Sequence, residues 1–506
     1  MDFNRSLNAK RSVISGFVVK VFSVIVPFIM RTIIIYTLGN LYLGLGSLFS
    51  SILSALSLAE LGVGSAMVFS MYKPVADNDI DKICALLNVY KKTYLIIGTF
   101  ITVVGLGLLP FLPYLIKGDY PADINIYVLY IIQLISTVSG YFIFAYKGSI
   151  LTAYQRADII NYVTFFTEIV MYGLQVVSLL VFRNYYAYAC LILLRSVVYS
   201  LIIFFVVNKK YPRLKAKGSI SKSTRNEIVK KIGALTGHKV AEVVLNSTDN
   251  ILISMFIGLD MVTIYNNYFY VVTAISSMLM MAFSGLISIV GNYLIKESAE
   301  KVNNLFSILN YLNALVVSVC CSCFITMYQP FISIWTGENS LLPMTIVILF
   351  VVYFYLLRIR TVIILFSNAA GIWEKDLIKA YIMTAVNLII DVVLIQKIGV
   401  SAALISTIVS LIFAYVYEII IIHKYVLKMQ ATKFIILNVV YAVSTLLACV
   451  LSDYFISYLS KYNYLIQLLG GAIISVIISI ICFIGLTVWS KESRDSFKYV
   501  KAKFIH

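Results

Sequence analysis

The sequence predicts an all-α integral membrane protein with about 14 transmembrane helices, arranged as two six-helix lobes in a parallel pseudo-repeat plus two C-terminal helices. Hydrophobic residues form 61% of the 506-residue chain and charged residues 12%, whereas soluble proteins contain about 50% and 25%. The apolar residues recur in runs of about 20, the length of a helix that crosses a bilayer core. Lys and Arg accumulate in every second loop between these runs, as in multi-pass membrane proteins.

Fourteen apolar spans follow one another along the chain. Six precede a long polar segment, at residues 13–38, 45–72, 93–116, 125–146, 160–182 and 186–207, and eight follow it, at 233–257, 263–295, 305–328, 343–367, 379–396, 400–422, 434–456 and 464–489. With the amino terminus inside, 30 of the 40 Lys/Arg residues fall in inside segments, four in outside loops and six within spans. Both termini are therefore expected in the cytoplasm. The net charge of +17 is assigned to topology and anionic lipid headgroups rather than to nucleic acid.

The longest polar stretch, Asn208–Lys231, contains nine Lys/Arg residues and one acid. Such a basic segment resists translocation, so it is expected on the cytoplasmic side and divides the chain into two halves. We predict an N-lobe at residues 1–207, a basic linker at 208–232, a C-lobe at 233–422, and two extra helices with a basic tail at 423–506.

A weak internal repeat relates the two halves. Aligning residue n with residue n + 219 places Lys20 on Lys239, Gly39 on Gly258, and the segment TIIIYTLG on ILISMFIG. Both copies begin on the inside, so the predicted repeat is parallel, about an axis along the membrane normal. Parallel repeats are typical of transporters with two similar lobes and a binding site between them.

Polar residues within the spans are candidates for function, because a charge facing lipid is costly. In the first span, Lys20 and Arg31 are eleven residues apart and share one helix face with Pro27. In the seventh, Lys239 and Asn250 repeat that spacing, with Asn246 between them. Six residues are candidates to line a polar substrate cavity: Lys20, Arg31, Arg195, Lys239, Asn246 and Asn250. The alternatives are pairing with intramembrane acids and snorkelling to the headgroups. For Arg358 and Arg360, cavity lining and these alternatives are equally open.

Five acids also lie within the predicted spans: Glu60, Glu168, Glu242, Asp249 and Asp391. Each is a candidate either to carry a coupling ion, H⁺ or Na⁺, or to pair with one of the cations. Serines at three- and four-residue spacing in the second span are interpreted as helix-packing residues. Cys320, Cys321 and Cys323 lie mid-span without a neighbouring His or acid and are expected to act as small apolar residues, with no metal.

The loops argue against a catalytic function. The longest outside loop, 329–342, has about fourteen residues, and no inside loop has room for a nucleotide-binding domain or contains the phosphate-loop motif GxxxxGK[ST]. The chain is therefore expected to be neither an enzyme nor an ATPase, and to need no cofactor.

Three segments of the sequence resemble a known family of membrane proteins. The segment STDNILISMFIGLDMVTIYNNY at Ser247–Tyr268, the IIIYTLG stretch of the first helix and the loop KGSILTAYQRADIIN at Lys147–Asn161 resemble bacterial polysaccharide flippases. These form the Wzx-type branch of the multidrug/oligosaccharidyl-lipid/polysaccharide exporter superfamily. The plan of six, six and two helices is also similar to that family.

The resemblance implies a V-shaped fold like that of MATE transporters, with two lobes around a cavity that opens alternately to each side. Its implied cargo is an undecaprenyl-pyrophosphate-linked oligosaccharide, carried across the bacterial cytoplasmic membrane for lipopolysaccharide, capsule or exopolysaccharide synthesis and driven by an ion gradient. It extends a cavity role to Lys20, Arg31 and Lys239, which lie in the two helices that line the cavity in this family. The polymerase and chain-length machinery of such a pathway are candidate partners.

Three other readings remain open. A drug/cation antiporter or a peptidoglycan-precursor flippase would belong to the same superfamily, although a drug antiporter is expected to have an acid-dominated cavity. A membrane polysaccharide polymerase is disfavoured by the short outside loops, and a scaffold protein would leave six intramembrane cations without a purpose. The sequence leaves open the sugar composition, pathway, coupling ion, oligomeric state and the role of the last two helices.

Overall fold

The computed structural model describes the backbone of residues 5–60, 62–459 and 461–504. Side chains are described there except at 5–10, 12–14, 59, 227, 230–231, 233–242, 245–246, 373–377, 500 and 502–504. Nineteen α-helices and a few 3-10 turns make up the regular structure of these residues. The helices are α1 (Arg5–Thr37), α2 (Asn40–Leu56), α3 (Val63–Ala76), α4 (Ile80–Gly107), α5 (Ile126–Phe142), α6 (Gly148–Ala153), α7 (Ala157–Leu180), α8 (Tyr185–Lys210), α9 (Lys222–Phe256), α10 (Leu259–Ser284), α11 (Ile287–Lys296), α12 (Ala299–Thr336), α13 (Met344–Ile359), α14 (Thr361–Ala370), α15 (Trp373–Ile398), α16 (Ser401–Ile422), α17 (Thr432–Ser457), α18 (Tyr464–Thr487) and α19 (Lys491–Phe504).

The predicted all-α membrane fold is confirmed. Within the described part of the chain, eleven helical segments are long and apolar enough to cross a membrane, and the bent pair α5 and α6 raises the number to 12. The two remaining predicted spans correspond to α2 with α3, which are individually short, and to α9, which is unusually polar. All fourteen predicted spans therefore coincide with helices, and the chain is a multi-pass membrane protein.

Several predicted spans are interrupted, which the hydrophobic pattern did not reveal. The span predicted at 45–72 is broken between α2 and α3 by a 3-10 turn and by Gly62, whose φ of 88° is left-handed. The span at 125–146 bends by 47° beyond α5, where Phe144 has a φ of 53°. Apolar sequence continues through each break, so the length of a hydrophobic run does not report a local change of backbone direction.

The ends of α1 and α9 have the same local geometry. Gly39 follows α1 with a φ of 106°, and its N–H donates to the carbonyl of Ile34 at 3.0 Å. Gly258 follows α9 with a φ of 134°, and its N–H donates to the carbonyl of Ile253 at 2.9 Å. Both glycines and both acceptors are 219 positions apart, so the predicted repeat is reproduced in the backbone at this helix end. A positive φ after a helix suits glycine, which has no Cβ to clash.

The chain divides into two compact units, Met1–Thr263 and Ile264–His506. In unit 1, α2, α4 and α5 surround a core that contains Leu45, Leu48, Phe49 and Tyr130, and α9 packs against α2 and α3. In unit 2, α12 packs against α13, α17, α18 and α19. The predicted seventh helix thus packs within unit 1, while the predicted lobe boundaries at 207 and 233 stay predictions.

Candidate functional site

A polar cavity of about 650 Å³ lies within unit 1, along one face of α2. Hydroxyl groups recur on that face at three- and four-residue spacing, in Ser47, Ser50, Ser51, Ser54 and Ser57. The opposite face of α2 carries the buried core residues already named. Because a helix places residues three and four apart on one side, α2 presents its serines to the cavity and its large apolar residues to the core.

The sequence analysis interprets these serines as helix-packing residues, but in the structure they also line a cavity. They form one wall of the cavity, and the other walls come from α5, α8 and α9 together with the turn after α2. The remaining polar lining consists of Glu60, Gln133, Ser136, Thr137, Tyr185, Tyr188, Arg195 and Asn250. A stripe of five hydroxyls beside an intramembrane acid was the signal in the sequence. Spacing alone does not separate a packing stripe from a cavity wall.

Arg195, on α8, supplies a positive charge at this cavity. Its Nη1 donates to the Tyr172 hydroxyl at 3.0 Å, and the guanidinium lies 5.5 Å from the centre of the Tyr172 ring. The nearest Glu168 carboxylate oxygen is 3.9 Å away, at the limit of an ion pair. The Arg195 side chain remains 32% exposed. Tyr172 and Glu168 thus orient Arg195 without enclosing it, which leaves guanidinium donors free to meet an anion.

Glu60 supplies a negative charge, held by a cluster of tyrosines. Its Oε1 accepts a hydrogen bond from the Tyr94 hydroxyl at 2.6 Å, and its Oε2 accepts one from the Tyr141 hydroxyl. The Tyr90 hydroxyl donates in turn to that of Tyr94 at 2.7 Å. All three tyrosines are buried, whereas Glu60 lines the cavity. The network fixes the orientation of the carboxylate, and sequence reasoning missed the tyrosines because they come from α4 and α5, far from Glu60 in sequence.

Asn250 links α9 to the serine wall. Its Nδ2 donates to the Ser51 hydroxyl at 2.9 Å, and both residues line the cavity. On the opposite side, a Cβ at Gly46 would lie 2.4 Å from the Tyr185 hydroxyl. Gly46 therefore allows Tyr185 to approach α2 closely, and its replacement by a larger residue would displace that hydroxyl.

The first-helix candidates lie in different surroundings. Arg31 is half-buried, and its charge and that of Arg195 both act on the Tyr188 hydroxyl, which lines the cavity. Arg31 is thus part of the electrostatic environment of the site. Lys20, by contrast, is exposed on α1. The side chains of Lys239, Asn246 and Glu242 lie outside the described residues.

The remaining candidate acids are buried. Asp249 is 7% exposed on α9 in unit 1. Asp391, on α15 in unit 2, is fully buried and lies one helical turn after Asn387. Asn387 donates from Nδ2 to the hydroxyls of Ser406 and Thr407, at 3.0 Å each. This part of unit 2 therefore combines a buried carboxylate with amide and hydroxyl oxygens, the hard ligands that Na⁺ and other oxygen-seeking cations prefer.

Arg360 belongs to a buried ion cluster and not to an open site. Its guanidinium donates to both oxygens of Glu418, at 2.7 and 2.5 Å, and Lys379 Nζ lies 2.6 Å from Glu418 Oε1. The cluster joins α15 and α16 to the junction of α13 and α14. Of the two open readings of Arg360, the structure favours pairing with an acid.

Unit 2 also contains an apolar groove of about 440 Å³ between α12, α13, α16 and α17. Its walls include Ile348, Val352, Ile412, Leu446 and Val450. Cys321 and Cys449 line it as well, and both are buried free thiols. The groove offers hydrocarbon contact along the first of the two extra helices, α17.

Comparison with known proteins yields likenesses of structure only. No family model and no curated protein matches the sequence. The lipid II flippase MurJ, in an inward closed conformation, matches with a TM-score of 0.67 at 15% identity, over 93% of this chain and 98% of that chain. A multidrug resistance MATE family transporter of the MOP superfamily, in an inward-facing conformation, matches with a TM-score of 0.62 at 16% identity, over 81% and 98%. A MATE transporter from Vibrio cholerae gives 0.51 at 15% identity, over 84% and 99%.

These matches identify the class of fold. The chain has the MATE-like helical fold that MurJ and the MATE transporters share, as the sequence predicted. At 15–16% identity the likeness extends to the fold alone.

Proposed function

We propose that the protein is a flippase that moves undecaprenyl-pyrophosphate-linked oligosaccharide repeat units across the bacterial cytoplasmic membrane for surface polysaccharide synthesis. The observation that carries the proposal is the unit 1 cavity, with its hydroxyl wall, its amides, its tyrosines and Arg195. Both termini would be cytoplasmic, as the distribution of Lys and Arg indicates.

The polar wall has the chemistry that an oligosaccharide requires. Each sugar hydroxyl both donates and accepts hydrogen bonds, as serine hydroxyls do, and Gln133 and Asn250 add amide groups of both kinds. Buried polar groups must find partners, so such a wall favours a ligand with many hydroxyls over an apolar one. Tyr185 and Tyr188 add aromatic surface for the apolar faces of sugar rings.

Arg195 is suited to the pyrophosphate. A guanidinium offers donors in a fixed fork that matches two phosphate oxygens at once. Part of the Arg195 fork contacts Tyr172 and part remains accessible. Arg31 adds to the positive potential near Tyr188. Lys20 and Lys239 would help to attract the anionic cargo from the cytoplasmic side, where the basic residues are expected to lie.

The driving ion is assigned to other features. For ion coupling, Glu60 and Asp391 are the best placed of the candidate acids whose side chains are described. Glu60 lines the cavity in a fixed orientation, and Asp391 is buried one helical turn after Asn387, whose amide contacts the hydroxyls of Ser406 and Thr407. Either would couple H⁺ or Na⁺ to alternating access of the cavity.

A peptidoglycan-precursor flippase is the second candidate, because the lipid II flippase MurJ matches over almost the whole chain. The two cargoes share a polyprenyl pyrophosphate and differ in sugar and peptide. A drug/cation antiporter is favoured by the presence of Glu60 in the cavity and disfavoured by that of Arg195.

Depletion of the protein in its host distinguishes these candidates. We expect undecaprenyl-linked repeat units to accumulate and surface polysaccharide to disappear, while the peptidoglycan precursor pool stays constant. Mass spectrometry of the lipid-linked pool would give the sugar composition directly.

Accumulation of the peptidoglycan precursor would support the second candidate instead. An unchanged lipid-linked pool would contradict both flippase functions and favour the antiporter. Single repeat units on the outer face without long chains would indicate polymerase activity, or a role alongside the polymerase and chain-length machinery.

A further inference from the structure

The C-terminal helix α19 begins where the last membrane helix ends, and it does not continue the direction of that helix. Thr487 is the final residue of α18, and the chain turns at 488–490 before α19 begins at Lys491. The hydroxyl of Tyr311, on α12, lies 3.1 Å from Thr487 Oγ1 and 3.0 Å from Ser493 Oγ. In a continuous helix, residues six apart are separated by about 9 Å along the axis. The first turn of α19 is therefore held at the level at which α18 ends.

An ion pair fixes α19 at the same level from a second side. Glu492 is buried, and its Oε1 accepts a hydrogen bond from Lys433 Nζ at 2.6 Å. Lys433 lies in the first turn of α17. Because α17 and α18 are consecutive helices that pack side by side, the start of α17 and the end of α18 lie at one end of the bundle. The charge pattern predicts that this end is cytoplasmic, so α19 is expected at the cytoplasmic boundary of the membrane.

The side chains of α19 divide into a docked face and an exposed, basic face. The docked face contains Glu492, Ser493 and Ser496, which are all buried. Four exposed cations recur at spacings of three and four residues and so form one cationic ridge along the helix: Lys491, Arg494, Lys498 and Lys501. None of the four makes an ion pair with a residue that the structure describes. Phe497, next to the ridge, is 49% exposed.

The exposed surface of α19 is positive even when its remaining acid is included. Asp495 is half-buried and lies one turn from Lys491, so four cations and one acid leave a net charge of +3. Basic residues close to a membrane surface are attracted to anionic lipids, and a neighbouring aromatic ring can enter the headgroup region. In the turn before α19, Val488 and Trp489 are also exposed, and Trp is a common residue at this depth.

We propose that the cationic ridge of α19 binds the headgroups of anionic phospholipids in the cytoplasmic leaflet, with Phe497 at the boundary between headgroups and acyl chains. An acidic protein would also match a charge of +3. The position of α19 favours the lipid, because its first turn is held at the level where the membrane helices end.

Such binding gives the C-terminal segment a defined role. Glu492 and Ser493 connect α19 to α17 and α12, so lipid bound to the exposed face would stabilise the docking of the opposite face. The inference is independent of the identity of the transported cargo.

Hydrogen exchange of the full-length protein tests the proposal. The protein is placed in nanodiscs of pure phosphatidylcholine or of an equimolar mixture of phosphatidylcholine and phosphatidylglycerol, and peptides from residues 491–506 are followed by mass spectrometry. We expect the wild type to exchange about fivefold or more slowly in the mixture, because lipid bound to folded α19 opposes its opening. High NaCl should remove the difference, since it screens exposed charges.

Charge-matched variants locate the effect. One variant neutralises the ridge by the combined changes Lys491→Gln, Arg494→Gln, Lys498→Gln and Lys501→Gln, and it should lose the response to phosphatidylglycerol. Gln is a helix former of similar propensity, so exchange in pure phosphatidylcholine should match that of the wild type. The control neutralises four exposed cations in and beside the basic linker, and it should keep the response: Lys209→Gln, Lys215→Gln, Lys217→Gln and Lys222→Gln.

Two outcomes would overturn the proposal. Equal exchange of the wild type in both nanodiscs would leave the ridge to solvent or to an acidic protein. An equal loss of the response in both fourfold variants would show that the lipid acts on the net charge of the protein and not on α19. If the ridge variant exchanges faster in pure phosphatidylcholine as well, the single change Lys498→Glu decides. It must reduce the response to phosphatidylglycerol, and an unchanged response would contradict the assignment.

Discussion

At the scale of single residues, the unit 1 cavity is lined by two opposite charges, Arg195 and Glu60, which different neighbours hold in place. Arg195 is oriented by an aromatic ring and a distant carboxylate, and it stays accessible. Glu60 is held by two tyrosine hydroxyls and makes no ion pair among the described residues. The two side chains are therefore available for separate tasks, anion binding by Arg195 and ion coupling by Glu60.

Arg195→Ala should lower export of the lipid-linked oligosaccharide by about 10- to 100-fold in kcat/KM. That range corresponds to about 1.5–3 kcal/mol for a hydrogen bond to a charged group. Arg195→Lys keeps the charge but loses the forked pair of donors, so its transport activity should lie between that of the wild type and that of Arg195→Ala. Transport in inverted membrane vesicles, normalised to inserted protein, measures the effect. Lys397→Ala, at an exposed cation near the end of α15, is the control, and an equal loss in both variants would contradict the assignment.

Glu60→Gln should uncouple transport from its ion gradient while preserving the shape of the side chain. The amide still accepts a hydrogen bond from one tyrosine but no longer carries a charge, so an imposed pH or Na⁺ gradient should stop accelerating transport. Tyr90→Phe, which changes the same network without touching the carboxylate, should remain gradient-dependent. If transport by Glu60→Gln still responds to the ion gradient, Glu60 is not the coupling acid, and Asp391 becomes the next candidate.

Much of the site's placement depends on contacts that a single sequence does not display. The spans, the unusual polarity of the seventh helix and the intramembrane cations could be predicted, because hydrophobic length and charge are local properties of the chain. The tyrosine network around Glu60 joins residues 34 and 81 positions apart. The serines of α2 had the spacing of a packing stripe, and only the neighbouring helices decide that they face a cavity.

At the scale of helices, unit 2 is joined by the ion cluster of Arg360, Lys379 and Glu418. All three side chains are buried, with at most 10% exposure. A buried ion pair adds little stability compared with apolar packing, but removal of one partner leaves an uncompensated charge. The cluster therefore fixes the register of α15 and α16 against the junction of α13 and α14.

Glu418→Gln should destabilise the protein by about 3–5 kcal/mol, because two buried cations lose their shared carboxylate. Thermal or denaturant unfolding in detergent provides the measurement. Glu297→Gln removes one partner of the exposed Glu297–Lys301 pair and should cause no measurable change. The triple change Arg360→Met, Lys379→Met, Glu418→Leu should recover most of the lost stability. Failure to recover it would show that the cluster acts through more than charge compensation.

At the scale of the whole molecule, the distribution of Lys and Arg makes a prediction about topology. In a protein whose native cysteines have been replaced, Lys217→Cys should react with a membrane-impermeant maleimide only in inverted vesicles. Asp119→Cys should react in intact cells. Both positions are exposed in the structure, so accessibility to solvent is not limiting. Reaction of Lys217→Cys in intact cells would contradict the positive-inside assignment of the basic linker.

The central claim is that this chain itself moves a lipid-linked oligosaccharide between leaflets. The most direct test is reconstitution of the purified protein in liposomes that carry an undecaprenyl-pyrophosphate-linked oligosaccharide, with an impermeant glycosidase outside. We predict that the accessible fraction rises towards completeness with the wild type under an ion gradient, and stays near the protein-free level with Arg195→Ala. Equal accessibility in wild-type, Arg195→Ala and protein-free liposomes would contradict the flippase account.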